Sequence, residues 1–254
     1  MSVQPILRIY PDSFKMAEAA ARDFIQFIKQ LAVFRQRVFV ALSGGSTPIV
    51  FFKALVKQKP AIDWDQLAFF WVDERCVPPD DPESNFGVAY QTLIKPLGIP
   101  SSSYFRIRGE DDPGKEALRY GELIMDKVSP GMTFPVFNWT FLGMGDDGHT
   151  ASIFPHELHL WKTDSLCAVG THSKSGQKRI TFTGHLINAS QRISFLVAGK
   201  RKEKKVREII LREEGYKMYP ASYVEPASHE LEWYLDKEAA GELISNQGGD
   251  EAIS

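Results

Sequence analysis

From Phe14 to Leu31, apolar residues recur at Ala17, Ala21, Phe24, Ile28 and Leu31, the spacing of an amphipathic helix. Four later runs, Val38–Leu42, Leu67–Val72, Trp139–Leu142 and Ile193–Ala198, are apolar almost throughout. Continuous rather than alternating hydrophobicity predicts strands covered on both faces, as in a parallel sheet. Helical patterns separate them at Ile49–Val56, Phe86–Leu93, Glu116–Val128 and Val206–Leu211. This alternation predicts one α/β domain over residues 1–245, a mainly parallel sheet flanked by helices. Between Glu157 and Gly176 the pattern is too weak to assign elements. The tail, residues 246–254, has Gly248, Gly249 and little to bury, and is expected to fray.

Each apolar run leads into a polar motif. Val38–Leu42 is followed by Ser43-Gly44-Gly45-Ser46-Thr47-Pro48, and Leu67–Val72 by Asp73-Glu74-Arg75. Trp139–Leu142 leads to Gly143-Met144-Gly145-Asp146-Asp147-Gly148-His149-Thr150, and Ile193–Ala198 to Gly199-Lys200-Arg201-Lys202. Ligands of open parallel sheets bind outside the carboxyl ends of the strands, so four motifs at four such ends point to one crevice.

The first motif reads as an anion site. Gly44 and Gly45 permit close backbone approach, Thr47 is the expected N-cap and Pro48 the first helical residue. The free N–H groups of that helix start would face the ligand. A tight, well-capped turn is the alternative. Asp73-Glu74-Arg75 is either a solvated loop or a means of projecting the Arg75 guanidinium into the crevice, where it would bind oxygen bidentately. His149 ends a turn rich in glycine and aspartate, a setting that orients an imidazole for proton transfer. The run Lys200, Arg201, Lys202, Lys204, Lys205 is mostly a solvated face. A cation cluster at a helix start opposes the helix dipole, which an anion bound there would explain.

Composition narrows the classes of function. The chain has 254 residues, 43% hydrophobic and 24% charged, with a formal charge of −2. That is enough for a substantial core and gives no global basic field for nucleic acid. Cys76 and Cys167 form no CxxC or zinc pattern and are expected to be free thiols in a reducing compartment. His149, His156 and His159 lack HExxH spacing, so neither a metal nor a cofactor is expected. The N-terminus has no signal-peptide pattern and no run reaches a membrane span of about 20 residues, which makes the cytoplasm the expected location.

In order along the chain, these motifs resemble the 6-phosphogluconolactonase family. Ser43-Gly44-Gly45-Ser46-Thr47-Pro48 resembles its first glycine loop, and Asp73-Glu74-Arg75 with Val77-Pro78 and Ser84-Asn85 its second motif. Gly143-Met144-Gly145 with Asp147-Gly148-His149-Thr150-Ala151-Ser152 and Phe154-Pro155 is the most specific match. Arg179-Ile180-Thr181, Gly199 with Lys202, and Tyr219-Pro220-Ala221-Ser222 through Ala239-Ala240 follow.

The resemblance implies a Rossmann-like α/β fold shared with glucosamine-6-phosphate deaminases, and hydrolysis of 6-phosphoglucono-δ-lactone to 6-phosphogluconate in the pentose phosphate pathway. It makes His149 the base and Asp147 its neighbour, with Arg75 on the substrate. Lys202, Arg179 and the loop Ser43, Gly44, Gly45, Ser46 and Thr47 would hold the phosphate end, with Asp73 beside them. Neutral His149 would activate water, and Arg75 or backbone N–H groups would face the oxyanion. The partner is thus a small phosphorylated lactone, not nucleic acid or a membrane. His185, where the family commonly has proline, and His156-Glu157 after Phe154-Pro155 are departures that bear on local loop shape, and they leave open a place for His185 near the ligand. Two rivals are a deaminase-like phosphosugar isomerase and a non-catalytic phosphosugar sensor. The deaminases carry glutamate where this chain has Phe154, and a sensor would add a DNA-binding domain for which the core, beginning near Ile6, leaves no room.

Overall fold

Asp12 starts the first helix, its carboxylate accepting the N–H of Lys15 at 2.7 Å to cap α1 (Ser13–Ala32). The computed structural model describes residues 4–34, 36–128, 134–241 and 243; the tail 246–254 lies outside the described residues. Ala17, Ala21, Phe24 and Ile28 of α1 are buried, and Phe24 meets Phe51, Trp139 and Phe141 at ring-centroid distances of about 6 Å.

The main sheet has seven strands, all parallel: β1 (Ile6–Tyr10), β2 (Val38–Leu42), β3 (Leu67–Trp71), β5 (Tyr104–Phe105), β6 (Trp139–Leu142), β9 (Arg192–Val197) and β10 (Glu230–Asp236). Their spatial order is β1-β10-β9-β6-β2-β3-β5. The four apolar runs are its central strands. β1 is a half-exposed edge strand, and β10 interrupts its apolar positions with Glu232, so neither showed as a continuous run. Glu232 is tolerated at 3% exposure because Arg8, Arg192 and Ser194 donate to its two oxygens.

A second sheet, β4 (Asp73–Arg75), β8 (Lys178–Phe182) and β7 (Cys167–Thr171), is antiparallel. Asp73-Glu74-Arg75 is therefore a strand, not a solvated loop, and the stretch that gave no clear pattern contains β7. Helix α2 (Ser46–Gln58) contains the predicted Ile49–Val56, and α5 (Pro113–Val128) contains Glu116–Val128. The Phe86–Leu93 pattern covers α3 (Asn85–Ala89) and a π-turn that runs on into α4 (Lys95–Leu97). Short α6 (Gly184–Asn188), α7 (Glu203–Ile210) and α8 (Lys237–Ala240) complete the helices used below. No helix among the described residues is long and apolar enough to cross a membrane.

Strand order explains the crevice. From β2 the chain moves to β3 on one side, whereas from β6 it moves to β9 on the other. The loops leaving β2 and β6 thus diverge and leave an opening at the carboxyl end of the sheet.

Candidate active site

Ser43, Gly44, Gly45, Ser46, Thr47, Asp73, Arg75, His149, Arg179 and Lys202 all line this one crevice, together with Asn85 and Met144. In the first loop the helix cap differs from expectation. Gly45, not Thr47, is the N-cap of α2, with φ 103°, a left-handed-side conformation that strains residues carrying a Cβ. Thr47 and Pro48 already lie within the first turn. Gly44 is needed for a second reason, since a Cβ there would fall 1.8 Å from Oδ1 of Asn85. The hydroxyl of Ser43 donates to the Phe141 carbonyl at 2.9 Å and ties the loop to β6.

Side chains alternate along a strand, and that decides which charges of β4 reach the crevice. Asp73 and Arg75 face it; Glu74 does not. Glu74 turns into the protein and accepts the N–H groups of Arg75, Asn85 and Phe86 at 2.7–2.8 Å and the Ser84 hydroxyl at 3.0 Å. Burial pushes its carboxyl up, and those four donors oppose the rise. Its role is to fasten β4 to the start of α3, which aims Asn85 at the site. The amide of Asn85 then donates to the Asp73 carbonyl at 2.9 Å, while Ser152 donates to the Asp73 carboxylate at 2.6 Å.

Arg75 and Arg179 are register partners across the β4–β8 pair, so two guanidinium groups meet on one face. The Nε atoms of both are buried without a hydrogen-bond partner. Arg75 donates from Nη1 to the Glu83 carbonyl at 2.5 Å, and Arg179 lies over the Phe154 ring at 5.6 Å. Burial lowers the pKa of Arg179 below the ordinary arginine value, with Asp73 opposing and Arg75 reinforcing. Neighbouring, part-buried cations with unused donors are complementary to an anion.

The turn after β6 builds the third wall. The N–H of Gly148 donates to the Gly145 carbonyl at 3.1 Å, and Gly145 N–H donates to the His149 carbonyl at 2.8 Å. A Cβ on Gly145 would lie 2.1 Å from Nδ1 of His149, so only glycine lets the ring fold back over the turn. Nδ1 of His149 is 2.5 Å from Oδ1 of Asp147. With that carboxylate accepting, Nδ1–H donates and Nε2 carries the lone pair, with no protein hydrogen-bond partner among the described residues. Burial opposes ionisation of Asp147, but the ring and the His149 N–H outweigh it and hold the carboxyl down at about 2. Asp147 stands behind the ring rather than on the crevice wall. The imidazole packs on Phe154, with ring centroids 4.8 Å apart and the planes tilted by 55°.

Lys202 enters from the turn after β9. Gly199 is fixed by its N–H donating to the Asp236 carboxylate at 3.0 Å, and Lys200–Lys202 form one 3-10 turn before α7. Lys202 is paired with Asp146. The cation cluster is not uncomplemented, as the sequence had suggested. Lys200 pairs with Glu203 at 2.6 Å, Arg201 with Asp146 at 3.6 Å and Lys205 with Glu208 at 3.0 Å. These acidic neighbours offset the unfavourable placement of the cluster against the helix dipole. Of the cluster only Lys202 lines the crevice.

Residues 11–233 match the family model described as glucosamine-6-phosphate isomerases/6-phosphogluconolactonase. The chain belongs to this family. A 6-phosphogluconolactonase of Treponema pallidum is 42% identical over 191 residues, 75% of this chain and 79% of that one. Another, of Haemophilus influenzae, is 40% identical over 229 residues, 89% of this chain and 97% of the relative. The crystal structure of 6-phosphogluconolactonase from Leishmania guyanensis superposes with a TM-score of 0.83 at 25% identity, covering 93% of this chain and 98% of that one. The α/β fold with its mainly parallel sheet is thus the fold of the glucosamine-6-phosphate isomerase/6-phosphogluconolactonase family.

Within this family frame, the two departures lie away from the crevice. His185 is exposed in the first turn of α6 and does not line it; α6 packs its Leu186 and Ile187 inward and turns His185 out. His156 stacks on the Phe154 ring with centroids 5.8 Å apart, and Glu157 accepts the Thr171 N–H at 2.9 Å. Asn85, Asp146 and Ser152 stand within the motifs, but the sequence alone shows no task for them. Asn85 and Ser152 orient Asp73, and the signal for them was only their place inside recognisable motifs. Among the described residues no three His, Cys, Asp or Glu side chains cluster as a metal site would require.

Proposed function

We propose that this protein hydrolyses 6-phosphoglucono-δ-lactone to 6-phosphogluconate, using water activated by His149. The observation that carries the proposal is the pairing of an oriented imidazole with three cations, Arg75, Arg179 and Lys202, around one crevice. A lactone is an activated cyclic ester, so one positioned base and an oxyanion site suffice. Nε2 of His149 takes a proton from water as the oxygen attacks the lactone carbonyl, and Asp147 balances the imidazolium that forms. The carbonyl oxygen becomes an oxyanion, which the Arg75 guanidinium stabilises. As the ring C–O bond breaks, the imidazolium returns its proton to the departing ring oxygen, leaving the open-chain acid.

Lys202, Arg179 and the start of α2 hold the remote phosphate, and that binding orients the carbonyl for attack. Asp73, its carboxylate accepting from the Ser152 hydroxyl, lines the same crevice and contacts sugar hydroxyls. The reaction as written requires no metal, so prolonged EDTA treatment and desalting are expected to leave activity intact. Activity lost to chelation and restored by a divalent ion would refute that. Two free cysteines suit a reducing compartment, which supports a cytoplasmic setting.

The deciding experiment offers freshly made lactone to the protein and follows 6-phosphogluconate through a coupled dehydrogenase, beside a glucosamine-6-phosphate deaminase assay. Lactone turnover above the spontaneous rate, without deamination, is expected. Deamination without lactone turnover would overturn the proposal.

A further inference from the structure

The two aspartates of the turn after β6 face in different directions. Asp147 takes His149, whereas Asp146, one residue earlier, takes Lys202. Asp146 also draws Arg201 at 3.6 Å, and Lys202, foremost, holds its carboxyl below the ordinary aspartate value. The side chain of Lys202 is 20% exposed, that of Asp146 51%, so the pair sits at the mouth of the crevice rather than inside it.

We propose that Asp146 competes with the substrate's phosphate for Lys202 and thereby sets how readily the phosphorylated product leaves. This inference rests on the assignment of Lys202 to the phosphate end. A lysine amine has three donors on one point charge. A phosphate dianion approaching it meets the Asp146 carboxylate on the same nitrogen and must displace it or share the charge against like-sign repulsion. Two consequences follow from this geometry. Lys202 is held at the crevice edge by a partner on the rigid Gly145–Gly148 turn, which limits the rotamers it must give up on binding. The same partner is ready to reclaim the amine as product departs. Since 6-phosphogluconate keeps the phosphate and gains a carboxylate on hydrolysis, an enzyme whose site carries Arg75, Arg179 and Lys202 would otherwise retain its product. Asp146 is a positioning and tuning residue here. Unlike Asp147, it does not touch the base.

The test is calorimetric titration of 6-phosphogluconate and, separately, inorganic phosphate into the parent protein, Asp146→Asn and Lys202→Ala. Removing one carboxylate charge a few ångströms from a dianion at a half-exposed site is expected to tighten both Kd values by about threefold to tenfold. Binding of gluconate, which lacks the phosphate, is expected not to move. Product inhibition should strengthen in parallel with the Kd. Weaker or unchanged phosphate affinity in folded Asp146→Asn overturns the proposal, weaker affinity meaning that the carboxylate serves only to position the lysine. If instead Lys202→Ala leaves both Kd values unchanged, the assignment of Lys202 to the phosphate has failed, a result distinguishable from the first.

Discussion

Replacing Asp147 by asparagine separates orientation of His149 from its charge stabilisation. One oxygen, Oδ1, accepts from both the His149 N–H at 3.2 Å and the ring Nδ1 at 2.5 Å. An asparagine keeps an oxygen there and presents its amide nitrogen where Oδ2 stood, so the tautomer with the lone pair on Nε2 is retained. What disappears is the negative charge that balances the imidazolium in the transition state. The carboxyl is held at about 2 against an ordinary 3.8, which corresponds to roughly 2 kcal/mol. Asp147 is nearly half exposed, and solvent screening reduces this to about 1–2 kcal/mol. The kcat of Asp147→Asn is therefore expected to fall about fivefold to thirtyfold with KM little changed, because the phosphate contacts are untouched. Initial rates of the coupled assay at saturating lactone, with spontaneous hydrolysis subtracted, measure it. A folded variant that loses less than twofold, or as much as a variant lacking the imidazole, would refute this division of labour. The sign for stability also follows. A carboxyl held below its unfolded value stabilises the fold above about pH 4, and that contribution is lost as pH falls towards 2.

His149→Asn removes the base itself and is expected to cost about 10²- to 10⁴-fold in kcat; near-parental turnover would place the base elsewhere. Lys202→Ala should raise KM for the phosphorylated lactone about tenfold to a hundredfold, a charge-assisted hydrogen bond being worth roughly 1.5–3 kcal/mol. The unphosphorylated lactone is the control, and an equal loss on both substrates would contradict a phosphate role. At the opposite end of the sheet, Glu232→Gln leaves Arg8 and Arg192 facing each other across a buried position. Breaking a buried pair costs about 3–5 kcal/mol, so Tm should drop by several degrees, and an unchanged Tm would show that the charge is dispensable. Burial raises the Glu232 carboxyl, but Arg192 and Arg8 outweigh it and hold it below the ordinary value, so its stabilisation is present at neutral pH and fades as pH falls below the ordinary glutamate range.

The central strands, the longer helices and the motifs at the strand ends are legible in the chain, because each is a local pattern. A doubly covered strand must be apolar throughout, an amphipathic helix must repeat every three to four residues, and a loop pressed against a ligand must use glycine. Gly44, Gly45, His149 and Lys202 were legible for that reason. The rest depends on contacts between distant parts of the chain. β10 was obscured by Glu232, whose burial depends on Arg8, 224 residues away in sequence. Asp73-Glu74-Arg75 shows three charges in a row, and nothing local says that the middle one turns inward. Its direction follows from pairing with β8, a partner about 100 residues distant whose register sets Arg75 opposite Arg179. Likewise, Gly145-Asp146-Asp147-Gly148 contains two chemically identical carboxylates. Which one orients the base and which one holds the lysine depends on the facing of a turn against the end of the neighbouring strand β9, and long-range geometry of that kind leaves no periodic trace in the chain.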